Sequence, residues 1–302
     1  MIDRVRLRAG EAVFARVAGP EGARRRERIH GTPGPRRFTP DDPIWRVHAD
    51  ASMFVGGIRA LLLQSLHPLA MAGVDQHSGF RGDPWGRLHR TSGFIAETTY
   101  GTVDHADRAI RTVRRIHERV TGVAPDGRPY SASDPHLVTW VHVAEVDSFL
   151  RAHDRYGARP LTATERDTYV AQAAFTARGL GGVDVPEDVA GLRDAIESFR
   201  PELESTPAAR AAARFILLHP PIRWTLRAPY AVLAAAAVGL LPWWERLPLR
   251  LPWLPVTEAT TVRAGGLLVT RAIAWAMAPP TAGDEDDGES RHNGSRQPES
   301  QE

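Results

Sequence analysis

The segment TVDHADRAIRTVRRIHERVTG, residues 102–122, decides the fold. Val103, Ala106, Ile110, Val113, Ile116 and Val120 recur at helical spacing and make one apolar stripe. Asp104 and Asp107 fall in the first turn and the arginines come later, the order the helix dipole favours. Gly122 follows the last periodic residue and reads as a C-terminal stop. His117 lies one turn after Val113 and three residues before Val120, so it belongs to the stripe, with Arg114 on its side. A neutral imidazole facing a core is either a satisfied structural histidine or a ligand. For a lone histidine the structural reading is the commoner, and its company has to decide.

On the N-terminal side, ASMFVGGIRALLLQSLHPLAMA (51–72) reads as a buried helix that Pro68 breaks or kinks, not as a membrane span. The stretch 73–91, GVDQHSGFRGDPWGRLHRT, reads as a Gly-rich polar loop of the kind that builds sites. Arg87, Arg90 and Thr91 open or precede a helix to Tyr100, and the Arg87–Arg90 spacing places both guanidinium groups on one face.

On the C-terminal side, 123–134 reads as a turn. Asp134 caps and Pro135 starts a helix that lines up Thr139, His142 and Glu145, with Trp140 and Val141 burying neighbouring faces. His142 is the second histidine set in an apolar helix. Leu161–Arg178 reads as a helix with Thr162 as its cap and Glu165 in the capping-box position. Helical patterns continue over 185–199, 208–218 and about 258–277, and no run of alternating strands occurs. The predicted fold is all-α, a single multi-helix domain enclosing a pocket. Its expected organisation is a basic N-terminal helix and arm (1–41, with 21–40 extended), a helical domain (42–279) and an acidic disordered tail (280–302).

Composition narrows the chemistry. Among 302 residues there is no cysteine, which excludes disulfides, thiolate ligation, zinc ribbons and haem attached through cysteine. There is also no lysine, which excludes Schiff bases and a Walker lysine. The net charge of +2 divides into +6 over residues 1–40, −5 over 281–302 and near +1 between. No basic-aromatic pattern suggests nucleic acid as a partner. The N-terminus MIDRVRLRAG has charges where a signal peptide needs an apolar core, so the expected location is cytoplasmic. Residues 228–244 carry no charge but are too short between prolines to span a bilayer, and core packing is the favoured reading. Trp243, Trp244 and Trp253, flanked by Arg246 and Arg250, keep a peripheral membrane contact open.

Five pieces in this order, LLLQSLHP (61–68), GV (73–74), DPWGRLHRT (83–91), IHERVTG (116–122) and GRPYSASDPHLVTWVH (127–142), make the chain resemble a known family. It is the α-helical oxygenase family that contains rubber oxygenase (latex-clearing protein) and the endoplasmic-reticulum-bound oxygenase of mycophenolic acid biosynthesis. The resemblance covers roughly residues 42–279. It implies a non-covalently bound haem b and oxidative cleavage of carbon–carbon double bonds in isoprenoid chains. It also implies that His117 is the metal ligand, that Arg114 matches an arginine of the same helix, and that Arg87 and Thr91 match the distal side. Where the family's rubber oxygenase has a lysine able to cap the iron, this chain has Arg90. An arginine stays charged and is a poor ligand, so Arg90 would donate hydrogen bonds to bound O2 or to a haem propionate. This departure bears on polyisoprene cleavage and not on haem binding.

Haem needs a neutral imidazole, an apolar pocket and cations for two propionates. His117 supplies the first, and Arg87, Arg90 and Arg114 suit the propionates. His142 and Glu145, with His67 as a weaker candidate, suit the distal side or the surroundings of the ligand. No spacing in the sequence compels a two-His-one-carboxylate metal site. Three readings stay open: a haem oxygenase that uses O2 on a hydrophobic, isoprenoid or lipid-like substrate, a haem carrier or sensor, and a haem-free helical interaction protein at a membrane surface.

Overall fold

The computed structural model describes residues 2–77 and 82–278. The chain is 73% helical, with one two-stranded sheet, and forms a single all-α domain. The acidic stretch 280–302 lies outside the described residues.

The centre is the pair α4 (Met53–Gln64) and α8 (Pro135–Tyr156). Val55, Leu62 and Leu63 on α4 meet Trp140, Val143 and Ala144 on α8, all fully buried in one continuous core. The helices approach so closely that a Cβ on Gly56 would lie 2.8 Å from the Phe149 ring, which is why the position carries glycine. Asp134 accepts from the His136 N–H at 2.9 Å and Pro135 takes the first turn, as the sequence predicts.

Pro68 ends the first half of the 51–72 segment. The chain bends by 106° between α4 and α5 (Pro68–His77), and neither helix alone is long and apolar enough to cross a membrane. α3 (Pro43–His48) and α9 (Ala163–Leu180) pack on one side of the central pair. α9 carries the predicted capping box, in which the Glu165 N–H donates to the Thr162 hydroxyl and the Thr162 N–H to the Glu165 carboxylate. α10 (Val189–Phe199) packs on α8, and α11 (Pro207–Leu218) on α4 and α5. α12 (Arg227–Gly239) lies against α4 through Ala236 and Ala237, so its core-packing reading holds. α13 (Trp243–Leu249), α14 (Pro255–Thr257), a π-helical turn Glu258–Val262 and α15 (Arg263–Met277) complete the chain.

Four expectations are corrected. The stretch 21–40 is not an extended arm throughout: it holds α2 (Gly22–Gly31), seated by buried Ile29 and by Arg25 and Arg28 on Glu97 of α6 (Pro84–Tyr100). Its apolar pattern is too sparse to announce a helix, and ion pairs supply the anchorage. α1 (Ile2–Ala18) packs on α15, with Arg6 donating to the Ala278 carbonyl at 2.8 Å.

The stretch 73–91 is not one loop. α5 runs to His77, and α6 starts at Pro84, capped by Asp83, which accepts from the Gly86 N–H at 2.8 Å. Arg87, Arg90 and Thr91 therefore stand on a helix.

The decisive helix, α7 (Val103–His117), ends at His117, and Gly122 is no helix stop. Residues 121–123 form strand β1, which pairs antiparallel with β2 (Pro129–Ser131), placing Gly122 opposite Tyr130. The hairpin turns at Gly127, whose φ of +86° is open to glycine at no cost. Because the helix stops early, Ile116 is 53% exposed and Val120 lies beyond it. Finally, Val141 is exposed rather than buried beside Trp140.

Candidate functional site

α6 packs on α7, and α7 on α9. The contact between α7 and α9 is tight: a Cβ on Gly179 would lie 2.9 Å from Ile110. His142 of α8 feels the charge of Arg178, the residue before Gly179. One end of α9 thus meets both the histidine-bearing helix α7 and the His142 turn of α8. Thr139, one turn before His142, fixes this corner by donating to the Val183 carbonyl at 2.7 Å and accepting from the Val183 N–H at 3.1 Å.

His117 is half-buried at the last turn of α7. Burial holds its pKa below the ordinary histidine value, so the ring is neutral near pH 7. Its Nδ1 is buried and has no hydrogen-bond partner. An imidazole binds haem iron through Nε2 and leaves Nδ1 to hold the proton, so the neutral state of the ring suits a haem ligand, while its Nδ1 lacks the acceptor that such histidines usually have.

His142 and Glu145 sit deep in the protein yet keep intermediate exposure. Burial pushes His142 down to about 4 and Glu145 up to about 7. The His142 Nε2 and the Tyr169 hydroxyl are also buried without partners, and Glu145 adds to the upward shift of the Tyr169 pKa. Buried polar groups are normally paired. The His117 Nδ1, the His142 Nε2 and the Tyr169 hydroxyl each remain unpaired, on three different helices. Glu145, with its pKa raised to about 7, can give or take a proton near neutral pH.

The arginines divide. Arg87 is partly buried, and burial together with neighbouring Arg90 lowers its pKa. Arg90 is exposed and pairs with the capping Asp83 at 3.3 Å, and Thr91 is exposed beside it. Arg114 is exposed, on the wet side of α7, although three residues from His117. The α7 stripe is narrower than its sequence suggests, and Arg114 falls outside it. His67 is buried but belongs elsewhere, with His136 and Glu202. Sequence spacing could not find that grouping, because the three residues come from separate elements.

The fold is all-α, and His117 and His142 are partly buried, neutral imidazoles on two of its helices. Residues 45–281 match the family described as ER-bound oxygenase mpaB/B'/rubber oxygenase, catalytic domain. The match covers most of the chain, and the protein belongs to this family of oxygenase catalytic domains, as the five sequence pieces implied. Among curated proteins and among solved structures, nothing matches the chain.

Proposed function

We propose that the protein is a haem b-dependent oxygenase that uses O2 to oxidise a hydrophobic substrate of isoprenoid or lipid-like character. The observation that carries this reading is His117, a partly buried, neutral imidazole at the end of α7, at the position to which the family resemblance assigns the metal ligand. When bound, haem would supply the activation of O2. Arg87 would meet a propionate by charge-assisted hydrogen bonds, with Arg114 reaching in from the surface. Arg90, once released from Asp83, and the Thr91 hydroxyl would donate hydrogen bonds on the oxygen-binding side. His142 would border the cofactor, and Glu145, one turn further along α8, would hold or release a proton.

A hydrophobic substrate raises the question of where it comes from. Between Leu218 and Val256 the exposed apolar side chains include Trp224 (82% exposed), Trp243 (58%), Leu247 (70%) and Trp253 (52%). Arg223, Arg227 and Arg250 are exposed among them, and the one carboxylate of this stretch, Glu245, is buried. Tryptophan and arginine without exposed acid suit the headgroup region of an anionic bilayer. We read this face as a peripheral membrane contact. Arg246, which the sequence placed in it, instead turns inward to Glu258 at 2.6 Å.

Oxygen uptake tests the proposal. Haem-loaded protein with a polyisoprenoid or polyunsaturated lipid should consume O2 and give carbonyl products, and Glu145→Gln should shift the pH profile. Haem binding with no uptake on any polyene would favour a carrier or sensor.

A further inference from the structure

His67 lies at the turn between α4 and α5, His136 in the first turn of α8, and Glu202 at the end of the 3₁₀ turn Arg200–Glu202 that follows α10. One ligating atom from each lies within 4.8 Å of the other two. The Glu202 carboxylate is 2.8 and 3.0 Å from His136 Nε2 and 3.4 Å from His67 Nε2. Tetrahedral ligands about 2.1 Å from a zinc ion stand about 3.4 Å apart, so the His67–Glu202 spacing already suits a shared cation.

We propose that His67 Nε2, His136 Nε2 and the Glu202 carboxylate bind one first-row divalent cation of the zinc and ferrous class. Two imidazoles and one carboxylate are the donors such ions favour, and the exposed side at His136 and Glu202 leaves positions for water. Burial keeps His67 in the neutral, ligating form. Its Nδ1 is buried and has no partner, so no competing hydrogen bond dictates which nitrogen holds the proton.

The donors are pre-positioned. His67 is packed by the rings of Trp140 and Phe199, and the His136 ring sits 4.5 Å from Phe199. The Glu204 N–H donates to the Leu66 carbonyl at 2.7 Å, tying the Glu202 turn to the segment that carries His67. The other charges nearby are Arg128, held by Asp126 at 2.6 Å, and Glu204, so the surroundings do not oppose a cation. A bound ion would staple three elements. It would also border a groove of about 240 Å³ lined by Leu66, Leu203, Trp243 and Trp244.

This inference is independent of the haem reading. The test is zinc titration of the chelator-treated, full-length protein by calorimetry, with metal analysis and melting temperature. The expected result is one zinc per chain beyond any haem iron, and a melting temperature that rises with zinc. Glu202→Gln and His136→Ala, both at the surface, should weaken binding by at least about tenfold, the loss that even an outer partner of a metal ligand causes. His67→Ala should do the same. No saturable uptake, or equal uptake in wild type and all three variants, would overturn the proposal and leave a hydrogen-bonded triad only.

Discussion

Arg59 on α4 has no exposed surface and lies 2.9 Å from the Asp147 carboxylate on α8. The same guanidinium donates to the Ser148 hydroxyl at 2.7 Å and to Glu245 of α13 at 3.4 Å. One cation therefore serves two buried carboxylates and joins the central helix pair to α13. Arg59→Leu should destabilise the protein by about 3 kcal/mol, because it leaves buried Glu245 without its Arg59 partner and Asp147 with Arg151 alone. Urea denaturation would measure it. A loss under about 1 kcal/mol would mean that the carboxylates take up protons and need no partner.

Two buried histidines and two buried glutamates should oppose one another and leave stability nearly level between about pH 4.5 and 6.5. Burial holds His48 at about 3 and His142 at about 4. The unfolded rings take up protons below about 6.5 while the native ones stay neutral, so stability is lost as pH falls from about 6.5 towards 4. Glu145 and Glu245 have the opposite sign. Both are pushed up to about 7, so between about 4.5 and 7 the native state keeps protons that the unfolded state has released. Their contribution is lost as pH rises through that window. A melting-temperature profile from pH 4 to 8 checks this, and in Glu145→Gln the profile should rise with pH between about 4.5 and 6.5, because one of the two opposing glutamates is gone. A variant as level as the wild type there would show that Glu145 is already ionised in the native protein.

Much of the fold could be read from local signals, because those signals are local in cause. The Thr162 capping box, the Asp134–Pro135 start and the Pro68 break each act within a few residues and appear where the sequence places them. The hairpin at 121–131 was missed because three-residue strands carry no period. The α2 helix was missed because its anchorage is Glu97, far along the chain. His117 reads from the sequence as part of the buried stripe, but the structure leaves it half-buried, and the exposure of Arg114 depends on how narrow a face α6 and α9 cover. The His67–His136–Glu202 grouping depends on tertiary contact alone.

The membrane reading makes a separable prediction. The protein should bind anionic vesicles, and added salt should weaken that binding. Replacing Trp224 and Leu247 together by Ser should reduce it several-fold and leave the melting temperature within a few degrees, since both side chains are largely exposed. Co-sedimentation with vesicles of phosphatidylserine and phosphatidylcholine reads this out. Equal binding by the double variant would assign the surface another role.

The central claim is that His117 holds haem, and an absorption spectrum with a pyridine haemochrome assay tests it most directly. Wild-type protein and His117→Ala should be purified and reconstituted side by side. The ring is only half-buried, so the variant should keep its helical circular dichroism. The account predicts a b-type haem in the wild type that is lost or spectrally altered in His117→Ala. A wild-type protein that stays colourless after haem is added, or a variant with an identical haem spectrum, would contradict it.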